Sequence, residues 1–260
     1  MGTMVELSFV ESGPRWAPAV LIGSSLGTDH RMWEGTAAAL SDRYRIVAFD
    51  WRGHGGSPAV PGPYRVGDLV GDVVGLADSL GVERFAYVGL SLGGFVGQAL
   101  AARHPARVSA LVLCCTSAWF GDPAPWHERA ARVRTENSTR WLREPLTERW
   151  FTPEFTASDP EVVNALLALV EQTSPEGYAA CAEAIAGTDL RPELAAVTAP
   201  TLVISGSEDP VSPPEAGAEI AAGVTGAQHE VIVGVSHMAQ AMAPAAVSRL
   251  IGDFLDTTLG

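Results

Sequence analysis

Hydrophobic residues fall into short, unbroken runs at Ala19 to Ile22, Ile46 to Phe49, Phe85 to Val88, Val108 to Leu113, Leu202 to Ile204 and Glu230 to Val233. Runs of this length without polar alternation suit strands buried on both faces. A further run around Val5 to Val10 is expected to open the sheet. Between most of these runs apolar positions recur at helical spacing, at Trp33 to Leu40, Val66 to Leu80, Phe95 to His104, Pro214 to Ala222 and Ala245 to Leu255. Strands alternating with helices predict an α/β fold with a mostly parallel central sheet and helices on both faces.

The alternation breaks between about residues 118 and 190, where helical patterns follow one another with no comparable strand. Trp126, Arg129, Ala130 and Val133 share one helical face, and Glu161 to Glu171 forms a second amphipathic stretch. A helical insertion between two strands of such a core would lie over the strand ends as a lid. The expected division is therefore a core of residues 1–117 and 191–260 with a helical cap over 118–190. Open α/β sheets bind ligands at their carboxyl edge, so a cap there would shape substrate choice.

Composition narrows the function. No apolar run reaches the roughly 18 to 20 residues that span a bilayer. Met1 to Val10 also lacks the charged-then-apolar pattern of a secretion signal, so a cytoplasmic protein without membrane contact is expected. Three cysteines without metal-ligand spacing predict neither a disulfide framework nor a metal site, and no cofactor motif is present. A net charge of -13 excludes nucleic acid as a partner and leaves a small molecule as substrate. All 17 basic residues are arginines, and Arg129, Arg132, Arg134, Arg140, Arg143 and Arg149 crowd into one stretch of the cap. That crowding is either a solvated helical face or a source of local positive charge.

The sharpest chemical signal is Gly89-Leu90-Ser91-Leu92-Gly93-Gly94, directly after the Phe85 run and directly before the helix at Phe95. A serine on a tight strand-to-helix turn, with small residues two positions to either side, is the arrangement of a nucleophile elbow. Because a serine hydroxyl is a poor nucleophile at neutral pH, it needs a base oriented by a carboxylate. Gly206-Ser207-Glu208-Asp209-Pro210 and Gly234-Val235-Ser236-His237 each follow a strand run, in the chain order serine, acid, histidine. Asp209 competes with Glu208, and the Asp-Pro step into Val211 favours Asp209. His237 competes with His54, His104, His127 and His229, and is favoured by its position, order and loop setting. The expected oxyanion donors are the N–H of Leu92, after the nucleophile, and that of Leu26 in the early loop Gly23-Ser24-Ser25-Leu26-Gly27-Thr28.

With these residues the chain resembles the α/β-hydrolase superfamily, and Phe49-Asp50-Trp51-Arg52-Gly53-His54-Gly55-Gly56-Ser57 looks like that superfamily's turn after an early core strand. Where many members carry His-Gly in the early loop, this chain has Ser24-Ser25. More narrowly, Ser25 to Asp29 with Met32-Trp33, the elbow, Arg149-Trp150-Phe151-Thr152-Pro153, Ser174 to Tyr178 and Cys181 resemble 3-oxoadipate enol-lactonases. The histidine loop departs from them: it reads Ser236-His237-Met238-Ala239-Gln240, where His-Leu followed by a polar residue is more usual. Some members are fused to a decarboxylase, for which 260 residues leave no room.

The resemblance implies hydrolysis of a small anionic enol-lactone in aromatic catabolism. A carboxylated substrate meets long-range repulsion from an acidic chain, so it needs a local cation. Arg129 or Arg134 would supply it, with Ser25, Trp126 and Trp150 lining the site. Both tryptophans could equally be cap packing. A general carboxylesterase or cofactor-free perhydrolase remains open on the same three residues, as does a binding protein that keeps the scaffold with little turnover.

Overall fold

The computed structural model describes residues 4–259, so residues 1–3 and 260 of the expected core, and with them the start of the Met1 to Val10 segment, lie outside the description. A seven-stranded sheet forms the centre, in the order β1-β3-β2-β4-β5-β6-β7. Its strands are β1 Phe9–Ser12, β2 Ala19–Gly23, β3 Arg45–Phe49, β4 Phe85–Leu90, β5 Val108–Cys114, β6 Thr201–Gly206 and β7 Gln228–Ile232. Only β1 runs antiparallel, pairing Phe9 with Phe49 and Ser12 with Ile46; every other pairing is parallel. β2, β4 and β6 are buried at every position, as unbroken apolar runs require when helices cover both faces.

Two strands differ from the sequence reading. The Val5 to Val10 run opens the sheet only at its end, where Phe9 and Val10 enter β1: before them Val5 N–H donates to Asp72 Oδ1 at 2.8 Å and Ser8 N–H to Ser57 Oγ at 2.8 Å, so side chains take these donors and the ladder starts at Phe9. β7 begins two residues before Glu230 and is an edge strand, with Val231 42% and Val233 87% exposed, so its apolar run does not mark burial on both faces.

The core helices are α1 Glu34–Leu40, α2 Val66–Ser79 and α3 Leu92–Arg103, and, after the cap, α9 Pro214–Gly223, α10 Ala239–Met242 and α11 Pro244–Leu259. α3 is buried along nearly its whole length and has no polar face, as suits a helix enclosed between sheet and neighbours. Between β5 and β6 lie only helices: α4 Ala124–Glu136, α5 Arg143–Trp150, α6 Pro153–Ser158, α7 Pro160–Gln172 and α8 Pro175–Ala186. Proline at the first helical position starts α6, α7 and α8, where its missing N–H has no partner to lose. The cap is tied to the core loops by main-chain bonds, Met238 N–H to Trp150 O at 3.1 Å and Ser174 N–H to Gly53 O at 2.9 Å.

Candidate active site

Ser91 follows β4 and caps α3 with φ 56° and ψ -113°, a conformation that an L-residue adopts only under constraint. The constraint is visible on both sides. Ser91 N–H donates to Cys114 O at 3.0 Å, and Ser91 O accepts from Phe95 N–H and Thr116 Oγ1, each at 2.8 Å. A Cβ on Gly89 would lie 2.3 Å from Gly93 C, and one on Gly93 would lie 2.2 Å from Gly23 O, so the turn closes only with glycine at both places. All of this fixes the main chain, while the Ser91 hydroxyl takes no hydrogen bond among the described residues.

Asp209 lies in the loop after β6 and His237 in the loop after β7, at the carboxyl edge that also carries Ser91. Asp209 Oδ1 accepts from Val211 N–H at 2.8 Å and Ser212 N–H at 3.0 Å, which turns Oδ2 to His237 Nδ1, 2.8 Å away. Both side chains are fully buried. A carboxylate at Nδ1 places the imidazole proton there and leaves the Nε2 lone pair to act as base. Nε2 is buried without a hydrogen-bond partner. The structure thus joins His237 to Asp209 directly, while Ser91 is bonded to neither; in free enzymes such a bond is often long and tightens with substrate.

The rival residues are occupied elsewhere. Glu208 is exposed and its carboxylate meets Ser207 Oγ. His54 is buried against Gly27 N–H and Arg52 O, His229 meets Ser205 Oγ, His104 closes α3, and His127 is exposed. Asp29, His30 and Asp50 bring their ligand atoms within 4.8 Å of one another. These atoms are engaged internally, Asp50 by His30 and Gly56 N–H and Asp29 by Arg31, which makes the cluster a lock on two adjoining turns.

In the early loop, Ser25 is buried and its carbonyl accepts from Thr28 N–H and Thr28 Oγ1, while Ser25 N–H points at Met32 Sδ. Neither Leu26 N–H nor Leu92 N–H is used in a hydrogen bond among the described residues. Leu92 is the first residue of α3, where a helix leaves N–H groups unpaired and its dipole favours negative charge.

The cap arginines separate into two kinds. Arg134 is taken up by Glu176 at 2.7 Å and also by Glu183, so the expectation that it serves as a substrate ligand is corrected: two carboxylates already satisfy its guanidinium. Arg129 has no carboxylate partner among the described residues; its guanidinium lies 4.9 Å from the Trp126 ring centroid, and its charge acts on the buried Tyr178. Trp126 is half-buried and ends an edge-on aromatic chain, Phe95 to Phe120 at 5.4 Å and Phe120 to Trp126 at 5.8 Å, that leads back to α3.

Trp150 is buried against Phe151, and what it offers the His237 loop is its carbonyl. Beside it, Arg149 is a residue the sequence reading passed over as a ligand. It too lacks a carboxylate hydrogen bond, and its own carbonyl accepts from Ser236 Oγ at 3.4 Å. Burial, then the like charge of Arg129, hold its guanidinium below the usual value, against the pull of Tyr178 and Asp209. Two cations without a carboxylate hydrogen bond, Arg129 and Arg149, therefore stand close enough to act on each other and on Tyr178, and Arg149 also feels Asp209.

A buried serine elbow, an acid–histidine pair and free N–H groups on one edge of a parallel sheet define a hydrolase of the α/β class. The model for the alpha/beta hydrolase fold matches residues 18–244, and the chain belongs to that family. Within it, the chain is 39% identical over 80% of its length to 3-oxoadipate enol-lactonase 2 of Acinetobacter baylyi, covering 78% of that protein. Its fold is similar to the crystal structure of the enol-lactonase from Burkholderia xenovorans LB400, with a TM-score of 0.94 and 40% identity over 97% of both chains. A thermophilic esterase from Thermogutta terrifontis, described with malate bound, gives a TM-score of 0.92 at 30% identity, over 98% of this chain and 94% of that one. Among the described residues no helix is long and apolar enough to cross a membrane.

Proposed function

We propose that this protein is a serine hydrolase that opens 3-oxoadipate enol-lactone to 3-oxoadipate. Ser91 Oγ attacks the lactone carbonyl while His237 Nε2 takes its proton, and Asp209 holds the imidazole and offsets the charge it gains. Leu26 and Leu92 N–H groups receive the tetrahedral oxyanion. Collapse breaks the ring C–O bond and leaves an acyl-enzyme whose tail carries the released enol. An enolate leaves more readily than an alkoxide, so proton return from His237 matters less here than with a simple ester. Water, deprotonated by His237, then attacks the acyl carbon and expels Ser91, and the enol tautomerises to the ketone.

The observation that carries the substrate class is the Arg129 and Arg149 pair, half-buried and free of carboxylates in a chain of net charge -13. Two partly desolvated cations that repel each other gain most from a ligand carboxylate. The enol-lactonase relatives, and a related esterase described with the small dicarboxylate malate, support the same class.

The test is a spectrophotometric assay on freshly generated enol-lactone with neutral aryl esters as controls. Charge-assisted hydrogen bonds of about 1.5–3 kcal/mol each set the scale, so kcat/KM should favour the anionic lactone by about a hundredfold or more. Equal or better turnover of neutral esters would replace this reading with a general carboxylesterase, which the likeness to the Thermogutta enzyme favours.

A further inference from the structure

The early loop is a tight turn. Thr28 N–H donates to Ser25 O at 3.1 Å, and Gly27, third in the turn, has φ +83°. These are the marks of a type II turn, which differs from type I by a flip of its central peptide, here Leu26 to Gly27. Leu26 N–H belongs to the peptide before the central one, so its place at the site follows from where the whole turn is seated.

Two side chains from distant parts of the chain meet Gly27. His54 Nε2 accepts Gly27 N–H at 3.0 Å, and its Nδ1 lies 2.9 Å from Arg52 O. A carbonyl only accepts, so the proton sits on Nδ1 and Nε2 presents its lone pair. Burial holds the ring below its ordinary range, in the neutral form that can accept. From the other side Thr173, between α7 and α8 of the cap, places Oγ1 3.0 Å from Gly27 O. The next residue, Ser174, donates its N–H to Gly53 O, beside His54. Were the Leu26–Gly27 peptide to turn over, its carbonyl would face the His54 lone pair, and acceptor would meet acceptor.

We propose that His54 and Thr173 are positioning residues that anchor the Ser25–Thr28 turn through Gly27, hold it at the depth where Leu26 N–H reaches the oxyanion, and so set the cap and the oxyanion loop as one unit. This rests on the reading of Ser91 as nucleophile and Leu26 as donor. Neither residue touches substrate. His54 acts through Gly27 N–H and Thr173 through Gly27 O.

The test compares wild type with His54→Leu, His54→Gln and Thr173→Val in steady-state kinetics, in inhibition by a neutral trifluoromethyl ketone, and in fluorophosphonate labelling of Ser91. Loss of one oxyanion donor costs about 10²–10³ in kcat, so its displacement in His54→Leu should lower kcat by about ten- to a hundredfold with KM little changed. The ketone, which forms an oxyanion on Ser91, should lose affinity by a similar factor. His54→Gln, whose amide oxygen can accept Gly27 N–H, should recover most of both. A folded His54→Leu with wild-type kcat, or a loss that Gln does not repair and the ketone does not register, overturns the proposal. If His54→Leu does not fold, Thr173→Val carries the same kcat and ketone readouts, and wild-type values there overturn it. Absence of label on wild-type Ser91 overturns the nucleophile reading as well; label on Ser91 with unaffected variants overturns the positioning role alone.

Discussion

His237 Nδ1 lies 2.8 Å from Asp209 Oδ2, with both side chains closed to solvent, and the second Asp209 oxygen is held by the N–H groups of Val211 and Ser212. The carboxylate is thus fixed on one side so that it can fix the imidazole on the other. Asp209→Asn keeps the shape but offers an N–H or a weaker acceptor to Nδ1, which promotes the tautomer with its proton on Nε2, where the base must be free. A fall in kcat of about 10⁴ is expected, with circular dichroism unchanged. Ser91→Ala should abolish fluorophosphonate labelling and reduce turnover at least as far. Wild-type turnover in either variant removes that residue from the mechanism.

The two arginines without a carboxylate partner make a prediction about binding. Arg149→Ala and Arg129→Ala each delete one cation from the proposed carboxylate site, and each should raise KM for the anionic lactone by about tenfold or more. Neutral aryl esters serve as the internal control, because their kcat/KM should change by less than about threefold. Equal effects on both substrates would show that the arginines support the cap and not the ligand.

Arg134 should behave in the opposite way. It bridges α4 to α8 through Glu176 and Glu183 while remaining about a third exposed, so solvent screening limits its worth to about 1 kcal/mol. For a chain of this size Arg134→Ala should lower Tm by about 2–4 °C and leave KM unchanged. The bridge also sets a pH response. The bond to Arg134 holds the Glu176 carboxyl below its usual value of 4.5, so its contribution is present above that value and is lost as pH falls through the lower folded pKa. Wild type should therefore lose more Tm than Arg134→Ala between about pH 5 and pH 3; parallel Tm curves would contradict this account.

The contrast between these arginines shows where sequence reading reached and where it stopped. The elbow was legible because its whole context is local: a buried strand, small residues at Gly89 and Gly93, and a helix after them. Chain order and loop position were enough to single out Asp209 and His237, since each follows its strand within a few residues. Arg129, Arg134 and Arg149 look alike along the chain, and what distinguishes them is tertiary. Arg134 meets Glu176 and Glu183, which lie 42 and 49 residues away, and Arg149 sits against a loop 87 residues away. The start of the Val5 run stays outside the ladder for the same reason, because the Val5 N–H donates to Asp72, 67 residues on.

Glycine substitutions test the packing that places the nucleophile. A Cβ on Gly93 would lie 2.2 Å from Gly23 O and 2.6 Å from Gly23 C, both main-chain atoms of β2, so Gly93→Ala can be accommodated only by lifting the start of α3 away from the sheet. That movement carries Leu92 N–H and Ser91 with it, and overpacking of this kind costs about 1–3 kcal/mol or more. Gly71 offers the matched control, because it lies within α2 and a Cβ there meets nothing within 4 Å. Gly71→Ala should gain about 0.5–1 kcal/mol from helix propensity alone and raise Tm with kcat unchanged. Gly93→Ala should lower both Tm and kcat, measured by thermal unfolding and lactone hydrolysis on the same preparations. Wild-type kcat in a stable Gly93→Ala protein would mean that the seat of α3 on β2 does not set the position of Ser91.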